Sequence, residues 1–347
     1  MIRKSVCVGA AIACAAVSLA LAGDLNPPAG PVAPTQRTPI SANTTPGDAD
    51  STFKITQPGS YYLTANLTGE IGKHGIEIAA SGVTIDLNGF DLVGVAGMGN
   101  FDGIRNTGAL AESIAIFNGT IRSWGGDGID LQTNAVSNCR IEDVLSSRNT
   151  GAGISTGVGG TVSDCSAYFN SGVGFSAAGV CVFSRCIANR NGSFGFNAGA
   201  GGTIVHCAAY FNSSIGIAVA QGANVLECTA QSNTTDGILC GGNSLVRGNT
   251  CSLNGNGGTG AGIRTALNGS RIEDNTCSGA DTGIDIDGEA NIIIRNTCRG
   301  NSTNWTIAAN NFVGPIIDRT AVGTAAISGN SSASTLGSTD ANANFSH

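Results

Sequence analysis

The chain has 347 residues, of which 52 are glycine, 12% are charged and 5% are aromatic. Because 41% of the residues are hydrophobic, the chain can form a core and is not typical of a disordered protein. The shortage of charged residues also excludes a coiled coil. The formal net charge is −7, so nucleic acid is not an expected partner, since phosphate binding needs a basic surface.

The first 22 residues have the features of an export signal. Arg3 and Lys4 supply a positive end, residues 6–21 form an apolar stretch, and residues 20–22 (Ala-Leu-Ala) are a cleavage motif before Gly23. The apolar stretch is shorter than the ~20 residues that cross a bilayer, and no later segment is suitable. We therefore expect a protein without a membrane span that is secreted or held at the cell surface.

The rest of the chain divides by composition into three parts. Prolines concentrated between residues 27 and 46 predict an extended linker over residues 23–52. Regular β-like sequence begins at Phe53 and continues to about residue 310. Residues 311–347 are rich in Ser, Ala, Gly and Asn, and we expect them to cap the last repeat and then form a flexible tail.

A glycine followed by isoleucine or phenylalanine recurs through the central part of the chain. Successive members are 28, 25, 25, 21, 21, 21, 21, 25 and 21 residues apart, and a second apolar column repeats with a similar period. A period near 21 with short β-branched segments is typical of a β-solenoid. The sequence therefore predicts an all-β fold, a single-stranded parallel β-helix of about ten coils. The first column is Ile76, Ile104, Ile129, Ile154, Phe175, Phe196, Ile217, Ile238, Ile263 and Ile284, and the second is Ile141, Val162, Phe183, Ile204, Val225, Val246, Ile272 and Ile293.

Small residues and asparagines form further columns. Small side chains suit a narrow interior, and stacked asparagines are expected to hydrogen-bond from coil to coil while adopting the left-handed backbone conformation. The two small columns are Val144, Cys165, Cys186, Cys207, Cys228, Asn249, Asn275, Asn296 and Ser146, Ala167, Ala188, Ala209, Ala230, Cys251, Cys277, Cys298. The asparagine column is Asn149, Asn170, Asn191, Asn212, Asn233, Asn254, then Ala280 and Asn301.

Ten of the 12 cysteines follow the predicted signal. Stacked neighbours have parallel Cβ directions and a spacing of ~4.8 Å, wider than a relaxed disulfide needs. We therefore predict that the column cysteines are small buried residues. Cys139, Cys181 and Cys240 lie outside the columns, and the sequence does not decide whether they pair.

The chain resembles the secreted bacterial right-handed β-helix repeat proteins of the pectin-lyase-like superfamily. The resemblance rests on the pattern C-x-A-x-x-N followed by G-[IF], as in Cys207-Ala208-Ala209, Asn212 and Gly216-Ile217, and covers residues 54–310. It implies a right-handed helix. It leaves the activity open, because the superfamily includes lyases, hydrolases, epimerases, adhesins and proteins without known chemistry.

Acidic and basic residues flank the Gly-Ile column at its amino-terminal end. Asp102 and Asp127 precede the glycine in adjacent coils and are the candidate ligands of a Ca²⁺ ion, the one cofactor considered. The alternative is that they are ordinary turn residues. Glu77, Arg105 and Asp130 follow the isoleucine and alternate in sign. They form either part of a ligand-binding site or a row of exposed ion pairs worth at most ~1 kcal/mol each.

Two functional hypotheses from different classes follow. The sequence lacks the complete motif set of the polygalacturonase-type hydrolases, and no long loop covers the acidic residues. The leading hypothesis is therefore a non-catalytic protein that binds extracellular polysaccharide or other cell-surface components. The alternative is a polysaccharide lyase or a related carbohydrate-active enzyme centred on Asp102, Arg105, Asp127 and Asp130. Exposed aromatics at residues 168–169 and 210–211 either stack on sugar rings or pack in turns.

Overall fold

The structure is a computed structural model that describes most of the chain. The predicted export signal and the first part of the predicted linker lie outside the described residues. Within the described ranges, no helical segment has the length and hydropathy that a membrane span requires. The described residues are 37–109, 111–132, 136–255, 258–318, 326–327, 330–331 and 340–347.

One face of the protein is a parallel sheet of twelve strands, one from each coil. The Gly-Ile column lies in it in register, with Ile76 beside Ile104 and Ile104 beside Ile129. We call it the first sheet. Its strands are Ser51–Ile55, His74–Ile78, Ile104–Asn106, Ile129–Asp130, Ile154–Thr156, Phe175–Ala177, Phe196–Ala198, Ile217–Val219, Ile238–Cys240, Ala261–Thr265, Thr282–Ile286 and Thr303–Ile307.

A second and a third row of parallel strands complete each coil. Ala115–Arg122 and Arg140–Ser147 run through both rows, so the rows form one 24-stranded sheet. The second row contains Thr38–Pro39, Gly59–Tyr62, Val83–Asp86, Gly160–Ser163, Cys181–Ser184, Thr203–Val205, Asn224–Leu226, Leu245–Arg247, Arg271–Glu273, Ile292–Ile294 and Phe312–Val313. The third contains Leu67–Thr68, Asp91–Val93, Ser166–Tyr168, Ile187–Asn189, Ala208–Tyr210, Thr229–Gln231, Thr250–Ser252, Thr276–Ser278, Thr297–Arg299, Asn344–Ser346 and Ile316–Asp318. Ala326–Ile327 and Asn330–Ser331 form a separate antiparallel pair.

The helix has twelve coils in place of the predicted ten. The additional coils lie at the two ends, where Phe53 pairs with Ile76 and Trp305 pairs with Ile284. Neither Phe53 nor Trp305 follows a glycine, so the Gly-Ile pattern did not include them. Strand pairing continues past the pattern because it needs only backbone groups.

The β-helix extends beyond both of its predicted boundaries. Residues 37–52, predicted to be linker, belong to the fold: Thr38–Pro39 pairs with Tyr61 and Tyr62, and Ile40 is buried. At the other end, Asn344–Ser346 inserts beside Thr297 and Cys298. This part of the predicted flexible tail is therefore a strand of the third row.

The interior is filled by the predicted columns. Every isoleucine and phenylalanine of the Gly-Ile column is fully buried. Phe175 and Phe196 stack with ring centroids 4.9 Å apart, and Phe183 packs against both at 5.8 Å. The small residues of the third row face the same interior, so large side chains from two rows fill the space that the third leaves.

The predicted asparagine stack is present, and each buried amide contacts the next coil. Asn191 Nδ2 donates to Asn212 Oδ1 at 3.0 Å and to Ala167 O at 3.2 Å, while the Asn191 amide N–H donates to the same Oδ1. The left-handed backbone conformation lies one residue earlier than predicted, at Arg190 and its equivalents. The asparagine itself turns inward, because its side chain satisfies backbone groups of two coils.

The cysteines are buried and unbridged at all ten described positions. In the column from Cys165 to Cys228, sulfur accepts a backbone N–H from the preceding coil, as Cys207 Sγ does from Cys186 at 3.4 Å. Asn249 takes over this role with its amide oxygen, which accepts from Cys228 N at 2.8 Å. Burial raises the pKa of the Cys139 thiol to about 11 and that of the Cys181 thiol to about 12.

Candidate functional site

The outward row of the first sheet is charged at its amino-terminal end. Lys54, Glu77, Arg105 and Asp130 are direct neighbours in register on four adjacent coils, followed by Ser155. The predicted alternation of sign is therefore present, and Lys54 extends it by one coil. Sequence reasoning missed Lys54 because the Gly-Ile column started one coil too late.

Glu77 is not the exposed ion-pair member that one alternative predicted. Its side chain is only 2% exposed, and its nearest cation is Lys54, whose Nζ lies 2.7 Å from Oε1, rather than Arg105. Thr107 Oγ1 also donates to Oε1. Glu77 Oε2 and Arg105 Nε are both buried without a hydrogen-bond partner in the described part of the chain.

A second acidic group adjoins Glu77 on the outer side. The carboxylates of Asp48, Asp50 and Glu77 offer oxygens within 4.8 Å of one another, which is suitable spacing for a cation. The Lys54 ammonium already lies there, 2.7 Å from Asp48 Oδ2. Lys54 holds the pKa of Asp48 well below its usual range, and Asp48 and Glu77 raise the pKa of Lys54. The lysine thus supplies the positive charge that these acids need.

His74 links the acidic residues to Arg105. Its Nδ1 accepts the backbone N–H of Asp102 at 2.8 Å, and its Nε2 faces the side chain of Arg105. That nitrogen lies 3.3 Å from Arg105 Nη1, and Asp102 Oδ2 lies 3.7 Å from the same guanidinium nitrogen. Phe101 packs edge-on against the imidazole. Both ring nitrogens of His74 therefore face N–H groups, and the imidazole positions the Asp102 backbone and the Arg105 guanidinium.

The aspartates that precede the glycines share one structural task. Asp102 Oδ1 accepts the backbone N–H of Asp127, and Asp127 Oδ1 accepts that of Ala152, both at 2.7 Å. Asp236 does the same for Ala261 at 2.8 Å, far from the charged end. One carboxylate oxygen of each aspartate thus accepts a backbone N–H in a turn, as the alternative to a metal site predicted.

The fit to the predicted Ca²⁺ ion is poor. Besides the backbone contacts, Ser155 Oγ donates to Asp127 Oδ2 at 2.9 Å, and Asp102 Oδ2 lies beside Arg105. Each of the four carboxylate oxygens therefore already has a donor or a cation next to it. A bound Ca²⁺ ion would have to displace them, so calcium binding stays a prediction that this geometry does not favour.

Asp127 differs from its neighbours in its proton affinity. Burial raises the pKa of its carboxyl from 3.8 to about 6, and the charges of Asp102 and Asp130 add to the increase. The residue is nevertheless half-buried rather than fully buried, so part of it stays in contact with solvent. A carboxyl that titrates near neutral pH beside ionised groups is suited to accept or donate a proton during a reaction.

These residues form what we call the charged cluster. It unites all four predicted site residues, Asp102, Arg105, Asp127 and Asp130, with three that the prediction did not include as site residues. The additional members are Lys54, His74 and Glu77.

Comparison with known proteins defines the class. Residues 102–250 match the family model described as "Right handed beta helix region". Comparison with curated proteins by sequence gives no significant match. Together with the solved structures below, the match establishes that the fold is a right-handed parallel β-helix.

Three solved structures illustrate the similarity. The Azotobacter vinelandii mannuronan C-5 epimerase AlgE4 A-module is 18% identical, with 81% of this chain and 89% of that chain covered and a TM-score of 0.63. The AlgE6 A-module of the same organism is 16% identical, with 81% and 88% covered and a TM-score of 0.61. The Dettilon tailspike protein is 16% identical, with 81% and 60% covered and a TM-score of 0.51. At these identities the similarity concerns the fold.

Proposed function

We propose that the protein is a carbohydrate-active enzyme that removes the proton beside the carboxyl group of a uronate in an acidic polysaccharide. This is the alternative of the two sequence hypotheses. The observation that carries it is the convergence of His74, Asp102, Arg105 and a half-buried Asp127 on one outer face. The names of two similar structures, both mannuronan C-5 epimerase modules, support the same substrate class.

The cluster divides the chemistry among its side chains. Asp127 is the base: as its carboxylate it takes the proton when the C5–H bond breaks, and the electron pair moves into the uronate carboxylate. Arg105 stabilises that developing negative charge, and His74 positions the Arg105 guanidinium. Return of a proton to the opposite face of C5 gives epimerisation. Breakage of the C4–O bond, with proton uptake by the leaving oxygen, gives a lyase reaction.

The charged cluster carries an excess of negative charge, which affects the binding of an acidic substrate. Four acidic side chains, Glu77, Asp102, Asp127 and Asp130, face two basic ones, Lys54 and Arg105. A polyuronate is repelled by this excess unless cations screen it. We therefore expect the reaction to be faster with millimolar Ca²⁺, even if the ion travels with the substrate and has no fixed site on the protein.

A non-catalytic, glycan-binding role is the competing proposal, and one observation favours it. Asp236 caps a backbone N–H in the same way as Asp102 and Asp127. This hydrogen bond to a backbone N–H is therefore not in itself evidence of catalysis. The contact of Asp127 with Ser155 and the neighbouring His74 and Arg105 distinguish the cluster from such a cap.

Product analysis tests the proposal. The purified protein is incubated with polymannuronate, polygalacturonate and a neutral polysaccharide, with and without Ca²⁺, and mass spectrometry and NMR report new chain ends and inverted uronates. We expect products from an acidic polysaccharide only. Asp127→Asn removes the base and should lower the rate at least ~10³-fold.

Asp236→Asn is the matched control, because it changes an equivalent cap 109 positions further along the chain and should leave the rate unchanged. Three results would contradict the proposal. They are new non-reducing ends that are saturated, which indicate hydrolysis; equal rates in Asp127→Asn and the wild type; and no product from any substrate, which would leave the glycan-binding role.

A further inference from the structure

Four exposed side chains form a row on the corner after the third row of strands. Arg148, Phe169, Arg190 and Phe211 occupy equivalent positions on four adjacent coils, each 21 residues from the next. The backbone register is set by hydrogen bonds such as Phe169 N to Asn189 O at 3.1 Å and Arg190 N to Tyr210 O at 3.0 Å. We call these four residues the Arg–Phe ladder.

The backbone of the ladder is unfavourable for such large residues. Their φ angles are 56°, 55°, 55° and 53°, in the left-handed region that suits glycine and that bulky side chains seldom adopt. Glycine takes the same position two and three coils beyond Ser232, as Gly279 and Gly300. Ser232 and Leu253 take the same conformation further along the column, so the turn does not itself require arginine or phenylalanine.

The ladder presents aromatic faces and positive charge together. The Arg190 guanidinium carbon lies 5.6 Å from the Phe169 ring centroid and 5.2 Å from that of Phe211, so the three side chains form one stack. The phenylalanines remain 44% and 48% exposed. Neither Arg148 nor Arg190 makes an ion pair within the described residues, whereas exposed Arg185 on a neighbouring corner is paired with Asp164.

A pocket of about 500 Å³ lies at one end of the ladder. It is lined by the loop of residues 95–99, by Ser123, and by Arg148 and Thr150. Ala152, two residues after Thr150, gives its N–H to Asp127, so the same short turn connects the pocket to the charged cluster. Pockets of this size hold small ligands such as one or two sugar rings.

We propose that the ladder and its pocket bind one acidic polysaccharide along the helix axis. Sugar rings pack against the exposed edges of Phe169 and Phe211, and carboxylates of the chain pair with Arg148 and Arg190. Coils are ~4.8 Å apart, so the phenylalanines are roughly two coils, or ~10 Å, apart, which suits alternate sugars of an extended chain. The ladder supplies the positive charge that the charged cluster lacks. The proposal deepens the proposed function in its substrate class, but it requires no turnover.

Affinity electrophoresis in gels that contain sodium polymannuronate tests the proposal, with neutral hydroxyethylcellulose as the comparison polymer. The wild type should be retarded by the acidic polymer only, and less at high salt. The double variant Arg148→Gln/Arg190→Gln should bind about tenfold more weakly. Arg185→Gln, which removes an equally exposed but paired arginine, should bind as the wild type does.

Phe169→Gly/Phe211→Gly separates binding from stability. Glycine relieves the left-handed backbone, so the melting temperature should stay level or rise while binding falls about fivefold. Ser232→Gly, at the next ladder position, should affect the backbone similarly and leave binding unchanged. Three results would overturn the proposal that the ladder binds acidic polysaccharide. They are retardation that persists in both double variants, equal retardation by the neutral polymer, and no retardation of the wild type. Because the gel measures binding alone, loss of turnover in Asp127→Asn with unchanged retardation would leave the ladder proposal standing.

Discussion

At the scale of single residues, Asp127 shows how one side chain combines a structural and a chemical task. Its Oδ1 caps Ala152 and its Oδ2 accepts from Ser155, yet burial raises its pKa to about 6. The sequence indicated the carboxylate and its stacking on Asp102. It did not indicate the pKa, because that depends on burial by residues distant in sequence.

The raised pKa of Asp127 predicts an unusual dependence of stability on pH. Since the folded protein holds this proton more tightly than the unfolded chain, the group favours folding when protonated and opposes folding when ionised. Its contribution is lost as pH rises from 3.8 to about 6. The loss is about 1–3 kcal/mol.

Asp127→Asn should therefore match the wild type near pH 4 and be more stable than it at pH 7, by that amount. Urea unfolding at the two pH values measures the difference. A variant that is less stable than the wild type at pH 7 would show that the carboxylate is needed for folding. Greater stability together with lost turnover is the pattern expected of a functional group.

At the scale of structural elements, the columns of the repeat differ in how they hold the coils together. The asparagine stack joins each coil to both neighbours through backbone and side-chain hydrogen bonds. The cysteine column uses one long N–H to sulfur contact per coil, as between Cys186 and Cys207. The asparagines should therefore contribute more to stability than the cysteines.

Asn191→Ala should lower the free energy of unfolding by about 3 kcal/mol, because buried donors and acceptors on two coils lose their partners. Asn301→Ala is the comparison. Asn301 follows Ala280 in the column, so its Oδ1 accepts from the Ala280 backbone but from no stacked amide, while its Nδ2 donates to Cys277 O and Asn304 Oδ1. Because Asn301 is also only half-buried, its loss should cost less. Denaturant titrations of both variants measure the difference. Equal losses of unfolding free energy in the two variants would show that stacking on a neighbouring amide does not stabilise the protein.

The same scale shows what the sequence could and could not predict. The register of the strands in the first sheet could be predicted from Ile76 and its equivalents, because each coil must place its apolar residues inside. The two terminal coils were missed because Phe53 and Trp305 lack the preceding glycine. Asn344 was missed because it reaches the asparagines of the small column from 48 residues beyond Asn296, outside any period.

At the scale of the whole molecule, the β-helix places the charged cluster and the Arg–Phe ladder at successive positions along its axis. The charged cluster lies over the first coils, and the Arg–Phe ladder begins beside it and extends over the following coils. A linear polymer is the natural ligand of such an arrangement, because each coil presents one set of side chains. The sequence predicted that Asp102, Arg105, Asp127 and Asp130 lie on neighbouring coils, but not their contacts with His74. Their union required the coil register, and the roles of Lys54 and Glu77 also required knowing which side chains are buried.

Hydrogen exchange at C5 of the substrate is the most direct test of the proposed chemistry. The wild type and Asp127→Asn are incubated with polymannuronate and with polygalacturonate in D₂O, and NMR and mass spectrometry follow the C5 position. The account predicts deuterium at C5 or unsaturated C4–C5 ends with the wild type, and neither with Asp127→Asn. Full retention of the C5 hydrogen in every polymer treated with the wild type would contradict the account.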